Sequence, residues 1–195
     1  MSMWPRLLSV FRLKGKSGEY MRRLLLLRHA KSERSKPGGS DHDRILADRG
    51  RTDAPKIGAY LARHALIPDC VVVSTAARTR ETWMLIAAVI EDAPTVKFEE
   101  RIYEASAEAI LQVIKETKPE VGMLLVVGHN PSMHELAAML VATGDIEARQ
   151  RLQENFPTGA LAVIDFALED WSRLHLLAGR LEHFITPRSL EAATD

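Results

Sequence analysis

The sequence predicts an α/β fold, a three-layer α/β/α sandwich in which helices cover both faces of a mostly parallel central sheet. Short apolar runs alternate along the chain with longer segments whose apolar residues recur at helical spacing. The 195 residues are enough for one domain with a sizeable core. Apolar residues make up 46% of the chain and charged residues 27%, which is typical of a globular protein.

Strands are predicted wherever a short run of β-branched or other apolar residues stands between polar segments. The predicted strands cover residues 24–27, 71–73, 96–98, 123–127, 160–166 and 173–177, and the last two form a closing pair joined by a turn. Because helical segments separate the first four strands, we expect these strands to be parallel.

Helices are predicted between these strands. The first covers residues 48–66, the second runs from a cap at Ser74 or Thr75 to about residue 90, and the third covers residues 107–116. A fourth helix begins at a predicted cap, Ser132, and runs to about residue 140. A serine or threonine oxygen at these positions could accept a hydrogen bond from a free backbone N–H of the first turn.

The two ends of the chain are predicted to lie outside the folded domain. Residues 1–20 carry Arg6 and Arg12 and end in a stretch rich in lysine, glycine and serine, which indicates a flexible basic arm. We assign residues 21–187 to one domain and residues 188–195 to a tail.

Charge and cysteine content indicate what the chain binds and where it is located. Lys plus Arg and Asp plus Glu both number 26, and the formal net charge of +0 favours neither nucleic acid nor an anionic membrane. No apolar run approaches the roughly 20 residues of a membrane-spanning helix. The single cysteine, Cys70, can form neither an internal disulfide nor a cysteine-based zinc site. We therefore expect a cytoplasmic protein with no nucleic-acid partner and no membrane span.

Polar residues follow three of the predicted strands directly. Arg28 and His29 end the first strand, Ser74 ends the second with Arg78 one helical turn further on, and His129 follows the strand at residues 123–127. Ligands of parallel sheets bind beyond the carboxyl ends of the strands, so we expect these side chains to line one crevice. Two arginines and two histidines around one point indicate a site for a doubly charged oxyanion such as phosphate.

These residue types predict phosphoryl transfer without a metal ion or another cofactor. A neutral imidazole at His29 can attack phosphorus, which divides hydrolysis into two steps. Neighbouring arginines disfavour the imidazolium and stabilise charge on the transferred group, the role that a metal ion would otherwise have. The leaving oxygen needs a proton, for which Glu104 is the first candidate and Asp43 and Asp48 are weaker ones.

The same residues resemble the histidine phosphatase superfamily, also called phosphoglycerate mutase-like. Three motifs carry the resemblance in order: Arg28-His29-Ala30 after the first strand, Ser74, Arg78, Thr79 and Thr82 at the second helix, and Gly128-His129-Asn130-Pro131 after a later strand. The resemblance spans roughly residues 23–187 and implies the phosphoglycerate mutase-like fold.

The resemblance also implies a role for each matching residue. His29 would carry the phosphoryl group, the arginines and the second histidine would hold it, and an acidic residue would donate a proton. The implied catalytic residues are His29, Glu104 and His129, and the implied substrate-binding residues are Arg28, Arg78, His129, Ser35 and Asn130.

The motif around the first histidine departs from that of the mutases. Arg34 and Ser35 stand where mutases carry tryptophan and a phosphate-binding asparagine, and Lys31 replaces an acidic residue. Arg-His-Ala-Lys-Ser followed by Gly-His-Asn-Pro resembles instead the SixA-type branch, whose members are linked to dephosphorylating histidine in phosphorelay proteins. The resemblance thus implies a phosphorylated partner, with a phosphorelay protein as the first candidate. Hydrolysis of a small phosphomonoester, a mutase-like phosphotransfer and a non-catalytic phosphate-binding module stay open as alternatives.

Two features suggest how a substrate would reach the site. Only 25 positions separate Glu104 from His129, which leaves no room for an inserted lid. The polar stretch at residues 31–43 is the element that we expect to contact the substrate.

Overall fold

The computed structural model describes residues 21–35 and 37–192, which contain a seven-stranded sheet with helices packed on both faces. The strands are β1 (Met21–Arg28), β2 (Cys70–Ser74), β3 (Val96–Glu99), β4 (Met123–Gly128), β5 (Val141–Gly144), β6 (Leu161–Ala167) and β7 (Gly179–Ile185). The helices are α1 (Asp48–Arg63), α2 (Ala77–Ala87), α3 (Ala107–Lys115), α4 (Ser132–Leu140), α5 (Ile146–Glu154) and α6 (Pro187–Ala192). None of the helices within the described ranges is long and apolar enough to cross a membrane.

The sheet is mostly parallel, as predicted. Its strands lie in the order β3-β2-β4-β1-β6-β7-β5. β3, β2, β4 and β1 pair in parallel, β6 is antiparallel to both of its neighbours, and β5 pairs in parallel with β7. Of the strands in the described residues, β6 therefore runs opposite to the other six. This confirms the predicted α/β sandwich.

The side chains of β1 explain why helices are needed on both faces of the sheet. Leu24 and Leu26 are buried on the face covered by α3 and α4, whereas Leu25 and Leu27 are buried on the face covered by α1 and α2. Successive side chains of a strand point to opposite faces, so four consecutive leucines require two apolar layers.

Most of the predicted strands are confirmed, but the last one is wrong. The chain forms a 3₁₀ turn at Trp171–Arg173, and β7 begins only at Gly179. Of the three leucines in residues 173–177, Leu174 packs into the core from a loop and the other two are exposed, so this segment does not pair in a sheet. Leu177 has a positive φ of 53°, which ends any extended conformation there. β5 and α5, which the sequence did not predict, lie between α4 and β6.

The helix caps predicted for α2 and α4 are also wrong. Ser74 belongs to β2, and α2 begins at Ala77 after Ala76, with no side-chain cap. Ser132 is the first residue of α4 rather than its cap. Both serine hydroxyls contact His129 instead. Ser74 Oγ lies against the His129 ring, a tertiary contact that local capping rules do not anticipate, and Ser132 Oγ donates to the His129 backbone O three residues earlier.

The predicted boundaries of the domain can be compared with the structure at one end. Residues 1–20, predicted as a basic arm, lie outside the described residues, as do residues 193–195. Residues 188–192, assigned to a tail, are helical and belong to α6. Leu190 packs against the core under α1, and Glu191 lies 2.6 Å from Lys56 Nζ. The amphipathic contact with α1 explains why this segment is helical.

Candidate active site

The carboxyl ends of β1, β2 and β4 bring the predicted residues together at one edge of the sheet. β1 and β4 are adjacent and parallel, with Arg28 opposite Gly128. The histidines that follow the two strands therefore lie side by side at the same edge of the sheet. The backbone N–H of His29 donates to Gly128 O at 3.0 Å, and the His29 and His129 ring centroids are 5.3 Å apart. From β2, Ser74 Oγ lies 2.8 Å from His129 Nε2.

The ring of His29 is held in one tautomer by its own loop. Nδ1 lies 2.7 Å from Ala30 O, and a carbonyl oxygen only accepts hydrogen bonds, so Nδ1 carries the ring hydrogen. Nε2 is then the unprotonated nitrogen of a neutral ring. The backbone N–H of Ala30 donates to Thr82 Oγ1 at 3.0 Å, so a side chain of α2 fixes the peptide that orients His29.

Burial is the largest cause that keeps His29 neutral. Burial lowers the pKa of His29 to about 3 against the opposing hydrogen bond to the backbone of Ala30, and His129, Arg78 and Arg28 contribute smaller effects that also lower it. The sequence predicted a neutral imidazole at His29 but attributed its neutrality to the neighbouring arginines. The structure shows a ring that stays neutral near pH 7 mainly because it is desolvated.

His129 is a second neutral imidazole beside the first. Burial and then the charge of Arg78 lower its pKa to about 3. Ser132 Oγ donates to the backbone O of His129 at 3.1 Å, which fixes the start of the loop. His129 Nδ1 is buried and has no hydrogen-bond partner within the described ranges. This nitrogen is therefore available for contact with a ligand.

Arg28 and Arg78 bring positive charge to the same edge. Arg28 Nη1 donates to Phe156 O at 2.9 Å, and Arg78, whose side chain is 5% exposed, donates from Nη1 to Asp41 O at 2.6 Å. The Nε atoms of both arginines are buried without a hydrogen-bond partner in the part of the chain that the structure describes. Burial and then the charge of Arg78 lower the pKa of Arg28, so two cations lie close together. A bound oxyanion would offset their repulsion.

Asp41 and Tyr103 are site residues that the sequence did not predict. Asp41 Oδ2 accepts hydrogen bonds from Arg78 Nη2 at 2.9 Å and from Tyr103 Oη at 3.1 Å, and Oδ1 lies 2.8 Å from Arg44 Nη2. Burial acts to raise the pKa of Asp41, but Arg78, Tyr103 and Arg44 outweigh it and lower that pKa. The Tyr103 ring lies edge-on to His129 at 5.5 Å. Sequence signals existed: Asp41 lies in the stretch expected to contact substrate, and Tyr103 precedes Glu104.

A cleft of about 520 Å³ opens beside His129. Glu104 and Asn130, both predicted from the sequence, line this cleft together with Arg78. Asn130 Nδ2 donates to Phe156 O at 2.9 Å, whereas its Oδ1 is buried without a partner among the described residues. Glu104 adopts a positive φ of 49°, which is strained for a residue other than glycine and is common at functional sites.

Three other candidates lie outside this cleft. Ser35 and Asp43 line a separate cleft of about 230 Å³, and Asp48 is fully exposed at the start of α1. The antiparallel bridge between Ser32 and Leu46 folds the intervening loop back on itself. As a result Asp41, and not Ser35, reaches the arginines. The structure thus does not bring Ser35 together with the other predicted substrate-binding residues.

The positive charges near the histidines come from guanidinium groups. Within residues 21–35 and 37–192, no three or more His, Cys, Asp or Glu side chains are grouped so that they could hold a metal ion. The arrangement suits the binding and transfer of a phosphoryl group.

Similarity to known proteins agrees with this geometry. The sequence profile of the histidine phosphatase superfamily (branch 1) matches residues 24–110. An uncharacterized protein of Mycobacterium leprae is 38% identical over 168 residues, which cover 83% of this chain and 100% of that protein. A solved structure assigned as the phosphohistidine phosphatase SixA from Agrobacterium tumefaciens is 32% identical, with a TM-score of 0.71, over 85% of this chain and 98% of its own. The chain belongs to the histidine phosphatase superfamily.

A second SixA-type structure, from Nakamurella multipartitia, supports the same assignment. It is 28% identical, has a TM-score of 0.75 and covers 86% of this chain and 96% of its own. The resemblance to the SixA-type branch is therefore confirmed, as is the phosphoglycerate mutase-like fold. This histidine phosphatase has Arg28, His29, Arg78 and His129 together at the edge of its sheet, and it is a phosphatase enzyme.

Proposed function

We propose that this histidine phosphatase hydrolyses phosphohistidine in proteins, with His29 as the transient carrier of the phosphoryl group and without a metal ion. The observation that carries the proposal is the contact between His29 Nδ1 and Ala30 O, which leaves Nε2 of a neutral ring for nucleophilic attack. The similarity to SixA-type structures at 28% and 32% identity supports phosphohistidine as the substrate.

The reaction proceeds in two displacements. In the first, the bond between His29 Nε2 and phosphorus forms while the bond to the leaving nitrogen or oxygen breaks, and the leaving group departs with its electron pair. In the second, water attacks phosphorus and the Nε2–P bond breaks, which releases phosphate and restores the neutral ring. The free Nε–H groups of Arg28 and Arg78 stabilise the charge that develops on the phosphoryl oxygens.

An open site supports a protein as the substrate. Between Glu104 and His129 the chain forms only α3 and β4, with no inserted element to cover the cleft. A phosphorylated side chain on the surface of another protein can therefore reach the histidines.

The first test follows the phosphoryl group on the enzyme. Rapid base quenching after mixing with phosphohistidine peptide should trap acid-labile, base-stable phosphate on the wild-type chain and none on His29→Ala. His29→Ala should also lose activity by on the order of 10⁴-fold or more while its circular dichroism is unchanged. Turnover without trapped phosphate would contradict the intermediate, and loss of wild-type activity in EDTA would contradict the metal-free mechanism.

The second test identifies the substrate. We expect kcat/KM for a phosphohistidine peptide to exceed that for common sugar phosphates by about tenfold or more, since only the peptide resembles the proposed partner. A sugar phosphate that is hydrolysed faster than the peptide would replace the proposal with a small-molecule phosphomonoesterase.

We also propose Glu104 as the proton donor when the leaving group is an oxygen. Glu104 lines the cleft beside His129, whereas Asp43 does not. Asp41 is in the same cleft, but its pKa is lowered, so it stays a carboxylate. Glu104→Gln should slow alkyl phosphates by about 10²-fold and aryl phosphates much less, because a good leaving group needs little protonation. Equal slowing of both classes would contradict this role.

A further inference from the structure

Arg44 lies next to the catalytic groups and has no role in the mechanism described so far. It lines the cleft beside His129 and also the smaller cleft that contains Ser35, so it stands where the two meet. After burial and Arg78, the charge of Arg44 is among the further causes that lower the pKa of His129. An oxyanion held against His129 would therefore also be close to the Arg44 guanidinium.

The hydrogen bonds of Arg44 leave its Nε atom unused. Nη1 donates to Ser32 Oγ at 3.1 Å and to Glu33 O at 3.2 Å, and Nη2 pairs with Asp41 Oδ1 at 2.8 Å. Nε is buried and has no acceptor among residues 21–35 and 37–192. A buried charged donor without an acceptor costs free energy, so such groups in native proteins are usually satisfied by an ordered water, an ion or a ligand.

The same pattern occurs in the two arginines already assigned to phosphate. In Arg28 and Arg78, Nη atoms donate to protein oxygens and Nε is buried without a partner in the described chain. The Nη bonds orient each guanidinium plane, and the buried Nε–H is a donor that remains for a ligand. Arg44 thus matches the two proposed phosphate-binding arginines in its hydrogen bonding as well as in its location.

Asp41 connects Arg44 to Arg78. Its Oδ1 pairs with Arg44, and its Oδ2 accepts from Arg78 and from Tyr103. One carboxylate therefore orients two guanidinium groups that line the same cleft. Groups held in place before binding lose less conformational entropy when the ligand arrives.

We propose that Arg44 is a third arginine that binds the phosphoryl oxygens, and that Asp41 is the positioning residue that holds Arg44 and Arg78 at the cleft. The inference rests on the proposed function, because it names a further ligand for the same phosphoryl group. The transferred group spreads its charge over three equatorial oxygens in the transition state. Three separate guanidinium groups match that distribution.

The test measures inorganic phosphate binding by calorimetry in wild type, Arg44→Met and Arg49→Met. Arg49 is the matched control, because its side chain is 71% exposed, pairs with Asp53 at 3.4 Å and lines neither cleft, yet its loss changes the net charge equally. We expect Arg44→Met to weaken phosphate binding about tenfold or more and Arg49→Met to change it less than about twofold. Wild-type affinity in Arg44→Met would overturn the proposal.

Arg44→Lys is a second, more conservative variant, which tests the same role if Arg44→Met fails to fold. Lysine keeps the positive charge but lacks the planar guanidinium with its several N–H donors. The phosphate affinity of Arg44→Lys should therefore lie between the affinities of wild type and Arg44→Met, with unchanged thermal unfolding. An Arg44→Lys chain that melts normally and binds phosphate as wild type does would overturn a bonding role for the guanidinium.

Asp41→Asn tests the positioning role by the sign of its effect. Coulomb's law alone predicts tighter phosphate binding, since a negative charge leaves the cleft. We expect weaker binding instead, by about threefold to tenfold, with partial rescue by Asp41→Glu. Tighter binding in Asp41→Asn would overturn the positioning role.

These titrations involve no turnover, so their outcome does not depend on the proposed mechanism. Phosphate binding that requires Arg44, with no phosphate trapped on His29, would contradict the mechanism alone. Phosphate trapped on His29, with wild-type phosphate affinity in Arg44→Met, would contradict the role of Arg44 alone.

Discussion

Arg23 and Arg28 lie at opposite ends of the same strand, β1, and their surroundings are opposite. Arg23 forms a two-bond pair with Asp165, with Nε to Oδ1 and Nη2 to Oδ2 both at 2.6 Å. The hydrogen bonds to Asp165 are the largest cause that raises the pKa of Arg23. Arg28 has no carboxylate partner in the described part of the chain, and burial and Arg78 lower its pKa. A closed ion pair stabilises a fold, whereas a buried cation beside another cation is suited to bind an anion.

The neighbouring strand decides whether an arginine of β1 forms a closed ion pair or stays available for an anion. Arg23 lies opposite Asp165 of β6, which supplies a carboxylate, and Arg28 lies opposite Gly128 of β4, which supplies no side chain beyond a hydrogen. Gly128 also leaves space for Met133, whose sulfur would be 2.8 Å from an added Cβ. The strand residue opposite Arg28 therefore supplies no carboxylate to pair with it.

The largest expected effect comes from removing the arginine at the catalytic end. Arg28→Ala should lower kcat/KM by about 10²–10³-fold, because a fixed donor to the transition-state oxygens is lost. Its thermal stability should not fall, since the change removes a like charge near Arg78. Steady-state kinetics and calorimetric melting would check both parts. An equal kinetic loss in Arg23→Ala would mean that the two ends do not differ in function.

Acid should destabilise the fold through the histidines at this same end. The pKa of His129 is about 3 in the folded chain, against an ordinary value of 6.5, so below pH 6.5 the unfolded chain binds the proton first. This stability is fully present above pH 6.5 and is lost as the pH falls towards 3. Between pH 6.5 and 5 the loss is up to about 2 kcal/mol for one such histidine. Urea unfolding at pH 7 and pH 5 should show a smaller difference in His129→Gln than in wild type.

A substitution of Arg23, at the end of β1 away from the histidines, should change the stability of the fold and not catalysis. Arg23→Ala should lower the free energy of unfolding by about 1–2 kcal/mol, because Asp165 is 13% exposed and would lose its charged partner. Its kcat/KM should stay within about twofold of wild type. Denaturant unfolding and initial rates would measure the two effects. Unchanged stability would show that this pair contributes as little as an ordinary surface ion pair.

The residues that the sequence identified share one property. Arg28, His29 and His129 directly follow apolar strands, and Arg78 lies one helical turn beyond another. Their convergence depends only on the order of the elements, since parallel strands bring their carboxyl ends to the same edge. The sequence missed Asp41, whose contact with Arg78 joins positions 37 residues apart through a loop without regular structure.

The strand that was misplaced has a similar explanation. Residues 173–177 have the apolar content of a strand, yet Leu174 is buried from a loop and β7 starts at Gly179. Apolar content indicates burial, but only the pairing with β6 decides which apolar segment is extended. The cap predicted at Ser74 failed for a comparable reason, because its hydroxyl contacts the His129 ring across the fold. The Ser132 hydroxyl instead bonds locally to the backbone O of His129.

The sequence by itself determined the α/β class, the parallel core around β1, β2 and β4, and the histidine pair at its edge. Buried apolar runs separated by helices have few stable arrangements, and that restriction can be read locally. Only the tertiary structure decided the tautomer of His29, the burial that keeps its ring neutral, and the carboxylate that joins Arg44 to Arg78. The tautomer depends on the neighbouring Ala30 O, in a residue that Thr82 of α2 holds in place. The burial of His29 and the contact of Asp41 with Arg78 depend on segments far apart in the chain, which no local pattern encodes.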